Sequence, residues 1–190
     1  MRKLDYNEFK NLYKDRMVED FPFYERRPLF TIKSKYKKGQ YACFVLEEEK
    51  EIQAYATFAW KDKKKVWLLD YFAVDKSQRG SGIGSKFIEE IKETMDTGLI
   101  LLECEMVEDV EDLPTRKIRK KRIDFYKKNG VEMTDVEISL LGYKYNIMAL
   151  ALNDRLEKYD LADEILSIYY NTIPYIFYRL FVKVNYQEEK

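Results

Sequence analysis

Gly80, Gly82 and Gly84 stand between an apolar run ending Asp70-Tyr71-Phe72-Ala73-Val74 and a stretch at helical spacing, Lys86-Phe87-Ile88-Glu89-Glu90-Ile91-Lys92. Strand, glycine turn and helix start in that order make an anion-binding device. Backbone N–H groups with no partner in the first helical turn converge on one point, and the helix dipole adds roughly half a positive charge there. Glycines keep Cβ atoms out of the way and permit the backbone angles of a nest. A P-loop, G-x-x-x-x-G-K-[ST], does not fit, because Gly80 and Gly84 are four apart and Ser85 stands where its lysine belongs. A dinucleotide fingerprint lacks its third glycine near Lys86. The pattern present is Arg79-x-x-Gly82-x-Gly84 directly after a strand, and the competing reading is a glycine turn with no ligand.

A second element, Arg122-Ile123-Asp124-Phe125-Tyr126-Lys127-Lys128-Asn129-Gly130-Val131, follows some forty residues later. Together the two motifs resemble the GNAT superfamily of N-acetyltransferases over roughly Glu51 to Leu152. Valine replaces the usual last phenylalanine of the family's R-x-x-F-Y-x-x-x-G-F helix. The resemblance implies an α+β, three-layer fold with a mixed, mostly antiparallel central sheet of about seven strands, flanked by helices and followed by a C-terminal helical extension. It implies that acetyl-coenzyme A is the cosubstrate, with no metal. Backbone of Phe72, Ala73 and Val74 would meet the acetyl-pantetheine arm, and Arg79, Gly80, Ser81, Gly82, Ile83, Gly84 and Ser85 would cradle the pyrophosphate. Tyr126 resembles the family's thiolate-protonating tyrosine, and the alternative is a tyrosine that only packs against the coenzyme.

The implied chemistry is direct attack of a neutral primary amine on a thioester, so a base must take a proton from a group of pKa near ~10. Asp70, Glu103 and Glu105 are the candidate carboxylates. Asp70 alternates with Phe72 and Val74 on its strand, and Glu103 and Glu105 flank Cys104 in a strand that is otherwise apolar. A carboxylate there is costly unless partnered, so an ion pair with lysine or arginine is the competing role for each. Cys104 reads as buried packing. The acceptor is an amine on a small molecule or peptide, and Tyr24, Glu25, Tyr143 and Tyr145 are candidates to line its cleft. Segments Phe21–Arg27 and Ser139–Tyr143 and the aromatic tail would build that cleft, with ordinary helix packing as the alternative. The rival function is a non-catalytic acyl-coenzyme A-binding or sensor module of the same fold.

Composition sets the outer limits. Lysine plus arginine equals aspartate plus glutamate at 34 each, which argues against nucleic acid and anionic membranes as partners. Histidine is absent, which excludes Ser-His-Asp triads and histidine zinc sites. No apolar run approaches the ~20 residues of a membrane span. Met1–Asp5 lacks the apolar start of a signal peptide, and the two cysteines then read as reduced thiols, so a cytoplasmic location is expected. The chain length suits one domain over residues 1–190, with a core at about 41–152. Residues 1–40 would be N-terminal helices, and residues 153–190 an extension that either shapes the acceptor cleft or forms a homodimer interface.

The elements that must position these groups follow from periodicity. Phe9, Leu12, Tyr13, Met17 and Phe21 predict a helix over Asp5–Asp20, closed by Pro22. Arg27–Lys37 predicts a second, with Leu29, Phe30, Ile32 and Tyr36 packing and Lys38-Gly39 as its stop. Tyr41–Glu47, Glu51–Trp60 and Lys65–Val74 predict an antiparallel meander, turning at Glu48–Lys50 and Lys61–Lys64. A helix from about Gly82 to Thr94 leads to a buried strand, Leu99–Met106. Glu108–Pro114 reads as an acidic loop, and Lys117–Lys128 as a helix with Ile118, Ile123, Phe125 and Tyr126 inward. Val131–Ser139 and Tyr143–Leu152 form a closing strand pair. A tail helix follows Asp154 until Pro174 interrupts it, and Tyr175–Val184 reads as a short helix or an edge strand.

Overall fold

The structure, a computed structural model, describes residues 1–61, 65–95, 98–140, 142–173 and 175–186. The predicted turn at Asp62–Lys64, Leu141 of the predicted cleft segment and the helix-interrupting Pro174 lie outside the described residues. The fold is a mixed sheet flanked by helices, and the chain divides into two compact units, Met1–Asp62 with Leu69–Thr94, and Lys63–Leu68 with Met95–Lys190.

The first unit begins with strand β1 (Arg2–Lys3), paired with strand β2 (Tyr41–Glu48) through Arg2 opposite Val45. Helix α1 (Tyr6–Leu12) is closed at its start by a reciprocal cap. Asp5 accepts from the Asn7 and Glu8 N–H groups, and the Asp5 N–H donates to Glu8. The helix does not stay α to Asp20 as periodicity predicted. It widens into a π-turn at Tyr13–Met17 before the short α2 (Val18–Asp20). The widened turn has a packing reason. Phe9, Leu12 and Met17 are all buried, and the five-residue step from Leu12 to Met17 matches i→i+5 winding rather than the 3.6-residue turn of an α-helix. Helix α3 (Leu29–Lys37) starts after Pro28 and buries Ile32, but Phe30 points outward at 75 % exposed, contrary to the packing role expected of it.

Strands β2 (Tyr41–Glu48), β3 (Glu51–Ala59) and β4 (Val66–Val74) follow within a residue or so of their predicted limits. β2 and β3 pair antiparallel from Tyr41–Ala59 to Glu48–Glu51, with a shift at Leu46/Glu47. Their two-residue turn, Glu49-Lys50, has both residues at positive φ, the twist a tight hairpin requires. The order in this unit is β1-β2-β3-β4, and α4 (Ile83–Met95) follows β4, burying Phe87, Ile88 and Ile91.

In the second unit β5 (Gly98–Glu105) begins one residue before its predicted start and is nearly continuously buried. Helix α5 (Leu113–Lys128) starts four residues earlier than predicted. Asp112 accepts from the Thr115 N–H, and Pro114 sits in the first turn, where its missing N–H costs nothing. The acidic loop is correspondingly shorter. Ile118 is solvent-exposed rather than inward, while Ile123 and Tyr126 are buried. β5 pairs antiparallel with β7 (Tyr143–Leu152), which pairs with β6 (Glu132–Leu140). Leu156 falls in a separate 3-10 turn, and α6 (Leu161–Thr172) is capped by Asp160. The tail is both things that the sequence allowed, helix α7 (Tyr175–Phe181) and then strand β8 (Val182–Tyr186) on β6. With β1 and β8 the described strands number eight rather than about seven. Among the described residues no helix is long and apolar enough to cross a membrane.

Candidate active site

Phe72, Ala73 and Val74 end β4, and the chain then turns through Asp75 into a 3-10 turn at Lys76–Gln78. Asp75 caps that turn. Its carboxylate accepts from the Ser77 N–H at 2.9 Å and the Ser77 hydroxyl at 2.6 Å, which holds it below the usual carboxylate range. The turn is tied onward, because the Gln78 carbonyl accepts from both the N–H and the hydroxyl of Ser81. Gly80 and Gly82 follow at φ +86° and +94°, angles that L side chains rarely adopt, and nothing lies within 4 Å of the place a Cβ would occupy at either. Gly84 is instead part of the first turn of α4. The first helical bond there runs from the Lys86 N–H to Gly82 O, so the N–H groups of Ile83, Gly84 and Ser85 precede the helix ladder. Residues 79–82 are exposed. Exposed backbone N–H groups opening a helix in this way can bind an anion, and the space at Gly80 and Gly82 is open. Phe72 turns its ring onto Phe87 of α4, 5.7 Å between centroids, so the strand end and the helix start are packed to each other.

Asp70 lies on β4 two residues before Phe72 and is committed to a cation. The Arg27 Nε reaches both of its oxygens at 2.8 and 2.9 Å, and the Tyr41 hydroxyl donates to it at 2.9 Å. Only 4 % of the Asp70 side chain is exposed. Burial opposes the Arg27 charge, but Asp70 more than offsets that, and the guanidinium stays protonated above its ordinary range. The same arginine is fixed by its backbone. Its N–H donates to the Tyr71 hydroxyl, which donates to Glu25 O, and Tyr13 donates to Arg27 O. The candidate cleft segment Phe21–Arg27 is thus anchored at its end, with the Phe21 ring edge-on to Tyr71. Its middle projects, Phe23 at 85 % and Tyr24 at 65 % exposed.

In the second unit Glu105 lies between Arg119 at 2.8 Å and Arg122 at 3.0 Å. Glu103 accepts a hydrogen bond from Tyr169 of α6, which ties the C-terminal extension to β5. Cys104 between them is buried, and burial pushes its thiol up to about 12. Tyr126 is buried on α5. Burial raises its phenol well above the ordinary range, Cys104 adds to this and Arg122 opposes it. The phenol is therefore protonated at neutral pH. Tyr143 is half-exposed and Tyr145 partly buried near the start of β7. Sequence reasoning singled out these carboxylates but did not find their partners Arg27, Tyr41, Arg119 and Tyr169. Arg27 stood within the quoted cleft segment, yet nothing in its spacing pointed to Asp70, 43 residues away.

Residues 39–132 match the acetyltransferase (GNAT) domain family. Among solved structures, a GNAT-family protein from Bacteroides thetaiotaomicron superposes with a TM-score of 0.68 at 20% identity, covering 93% of this chain and 98% of that one. The ribosomal-protein-S18-alanine N-acetyltransferase from Escherichia coli gives 0.56 at 17% identity, covering 83% and 96%. An aminoglycoside 6'-N-acetyltransferase complexed with coenzyme A gives 0.55 at 14% identity, covering 82% and 99%. No protein of curated function matches this sequence.

Proposed function

From a chain that belongs to the GNAT superfamily of acetyltransferases, we propose an enzyme that moves the acetyl group of acetyl-coenzyme A onto a primary amine by direct attack. The observation that carries this reading is the nest at Arg79–Ser85, two glycines at positive φ opening helix α4 directly after β4. Residues Arg79, Gly80, Ser81, Gly82, Ile83, Gly84 and Ser85 would hold the coenzyme's pyrophosphate, and the backbone of Phe72, Ala73 and Val74 its acetyl-pantetheine arm. The coenzyme supplies a thioester. As the amine nitrogen bonds to the acetyl carbon the carbon–sulfur bond breaks, nitrogen loses one proton and sulfur gains one.

The chain's own residues manage those protons. Tyr126, by its resemblance to the family's thiolate-protonating tyrosine, would give a proton to the departing sulfur, and the proton shed by nitrogen would restore the phenol. A carboxylate among Asp70, Glu103 and Glu105 takes the proton that makes the amine neutral before it attacks. Asp70 and Glu105 each also pair with arginine. Tyr169 orients the Glu103 carboxylate from α6. The acceptor class follows the relatives, which include enzymes named for an alanine of ribosomal protein S18 and for an aminoglycoside.

Coenzyme A binding only the native state raises the melting temperature, by an increment equivalent to about 2.7 kcal/mol at a hundredfold excess over Kd. Gly82→Asp, which places bulk and negative charge in the nest, removes that shift. Thiol release from acetyl-coenzyme A in the presence of an aminoglycoside, a polyamine or an alanine-terminated peptide then tests transfer. A wild-type protein whose melting temperature coenzyme A leaves unchanged overturns the reading.

A further inference from the structure

The nest is held from outside its own sequence. The π-turn of the first helical run presents Arg16, whose Nη2 lies 3.1 Å from Asp75 Oδ2 while Nη1 donates to Ile52 O at 3.0 Å. One turn on, Asp20 faces Arg79, Oδ1 to Nη2 at 3.9 Å, and its other oxygen accepts from the buried Tyr55 hydroxyl at 2.9 Å. Helix and loop therefore meet in reciprocal order, arginine to aspartate and then aspartate to arginine, four residues apart on both sides. Asp75 is not a bystander in this pairing. One of its oxygens meets Arg16, and the other caps the 3-10 turn whose Gln78 carbonyl holds Ser81 at the edge of the nest. The Asp75 N–H also donates to Gln53 O at 2.8 Å, next to the carbonyl Arg16 binds, so helix, β3 and loop share one polar junction.

We infer that Arg16 is a positioning residue for the coenzyme site, fixing Asp75 and through it the Lys76–Ser81 turn so that the nest is preformed before an anion arrives. The inference rests on the proposed coenzyme-binding role of the nest. Arg16 itself is carried on the π-turn that follows α1 and lies outside the Arg79–Ser85 motif. An ordinary α-helix would turn position 16 to another direction relative to Phe9 and Leu12, so the π-turn and the arginine belong to one device. A preorganised nest binds without first ordering its loop, and loss of the pin appears as weakened affinity.

The test is a double-mutant cycle on coenzyme A affinity measured by calorimetry, using Arg16→Met, Asp75→Asn and both together. Each single change weakens coenzyme A binding about tenfold, and the double variant is no weaker than either single one, because both remove the same pin. Arg16→Lys recovers most of the affinity. Phe9→Leu, which lowers the melting temperature from the same helix without touching the junction, leaves the dissociation constant unchanged and so separates positioning from general loss of stability. Wild-type affinity in Arg16→Met, or losses that simply multiply in the double variant, overturns the inference while leaving the proposed function standing. No coenzyme A binding by the wild type overturns the proposed function on which it rests.

Discussion

Asp70 in the first unit and Glu105 in the second pose one problem, an acid on a strand of the sheet, and the two units answer it differently. Asp70 is sealed, 4 % exposed, against one nearly buried guanidinium that reaches both its oxygens, with the Tyr41 phenol as a second donor. Glu105 is 24 % exposed and shares two arginines from α5, one of them, Arg122, at 47 %. A buried pair tolerates the loss of neither partner, because the survivor keeps its charge without compensation. A solvated cluster has water and a second cation in reserve. The first arrangement fixes a loop and the second decorates a helix.

The largest effect expected from this contrast is at the sealed pair. Arg27→Ala strands the Asp70 carboxylate and costs about 3–5 kcal/mol in urea unfolding. A loss below ~1 kcal/mol would put Asp70 in the same class as Glu105. Next comes alkali. Tyr41 and Tyr71 are both raised above the ordinary phenol range, first by burial and then by Asp70. The unfolded chain ionises them near pH ~10, while the folded protein keeps them protonated. Their contribution is fully present below that pH and falls as the pH rises toward the folded values, by about 1.4 kcal/mol per pH unit for each phenol. Unfolding midpoints between pH 9 and 11 measure the slope, and Tyr41→Phe should flatten it by one tyrosine's share. The smallest effect belongs to the exposed cluster, where Arg122→Ala costs about 0–1 kcal/mol because Arg119 remains on Glu105. A cost equal to that of Arg27→Ala would erase the distinction.

Local pattern carried the strands and the glycine loop a long way. The limits of β2, β3, β4 and β7 fall within about a residue of those predicted, since each is an apolar run bounded by polar turn residues. Patterning was weaker at helix starts and on helix faces. Asp112 and Pro114 form a cap that brings α5 forward from the predicted Lys117, and Ile118 and Phe30 look like core but face solvent. The π-turn at Tyr13–Met17 escaped a template built on spacings of three and four, because its buried residues step by five.

What the sequence determined by itself is whatever the backbone does locally. The Asp70–Val74 strand, the glycine positions and the start of α4 are contiguous, and glycine's freedom at positive φ is a property of the residue. The nest could therefore be read without coordinates. Tertiary structure alone decided what each charged side chain is for. Asp70 finds Arg27, Glu103 finds Tyr169, and Asp75 finds Arg16, over sequence separations of 43, 66 and 59 residues. Nothing in the spacing of a single chain encodes such partners, because they are set by which strand and which helix the fold lays side by side.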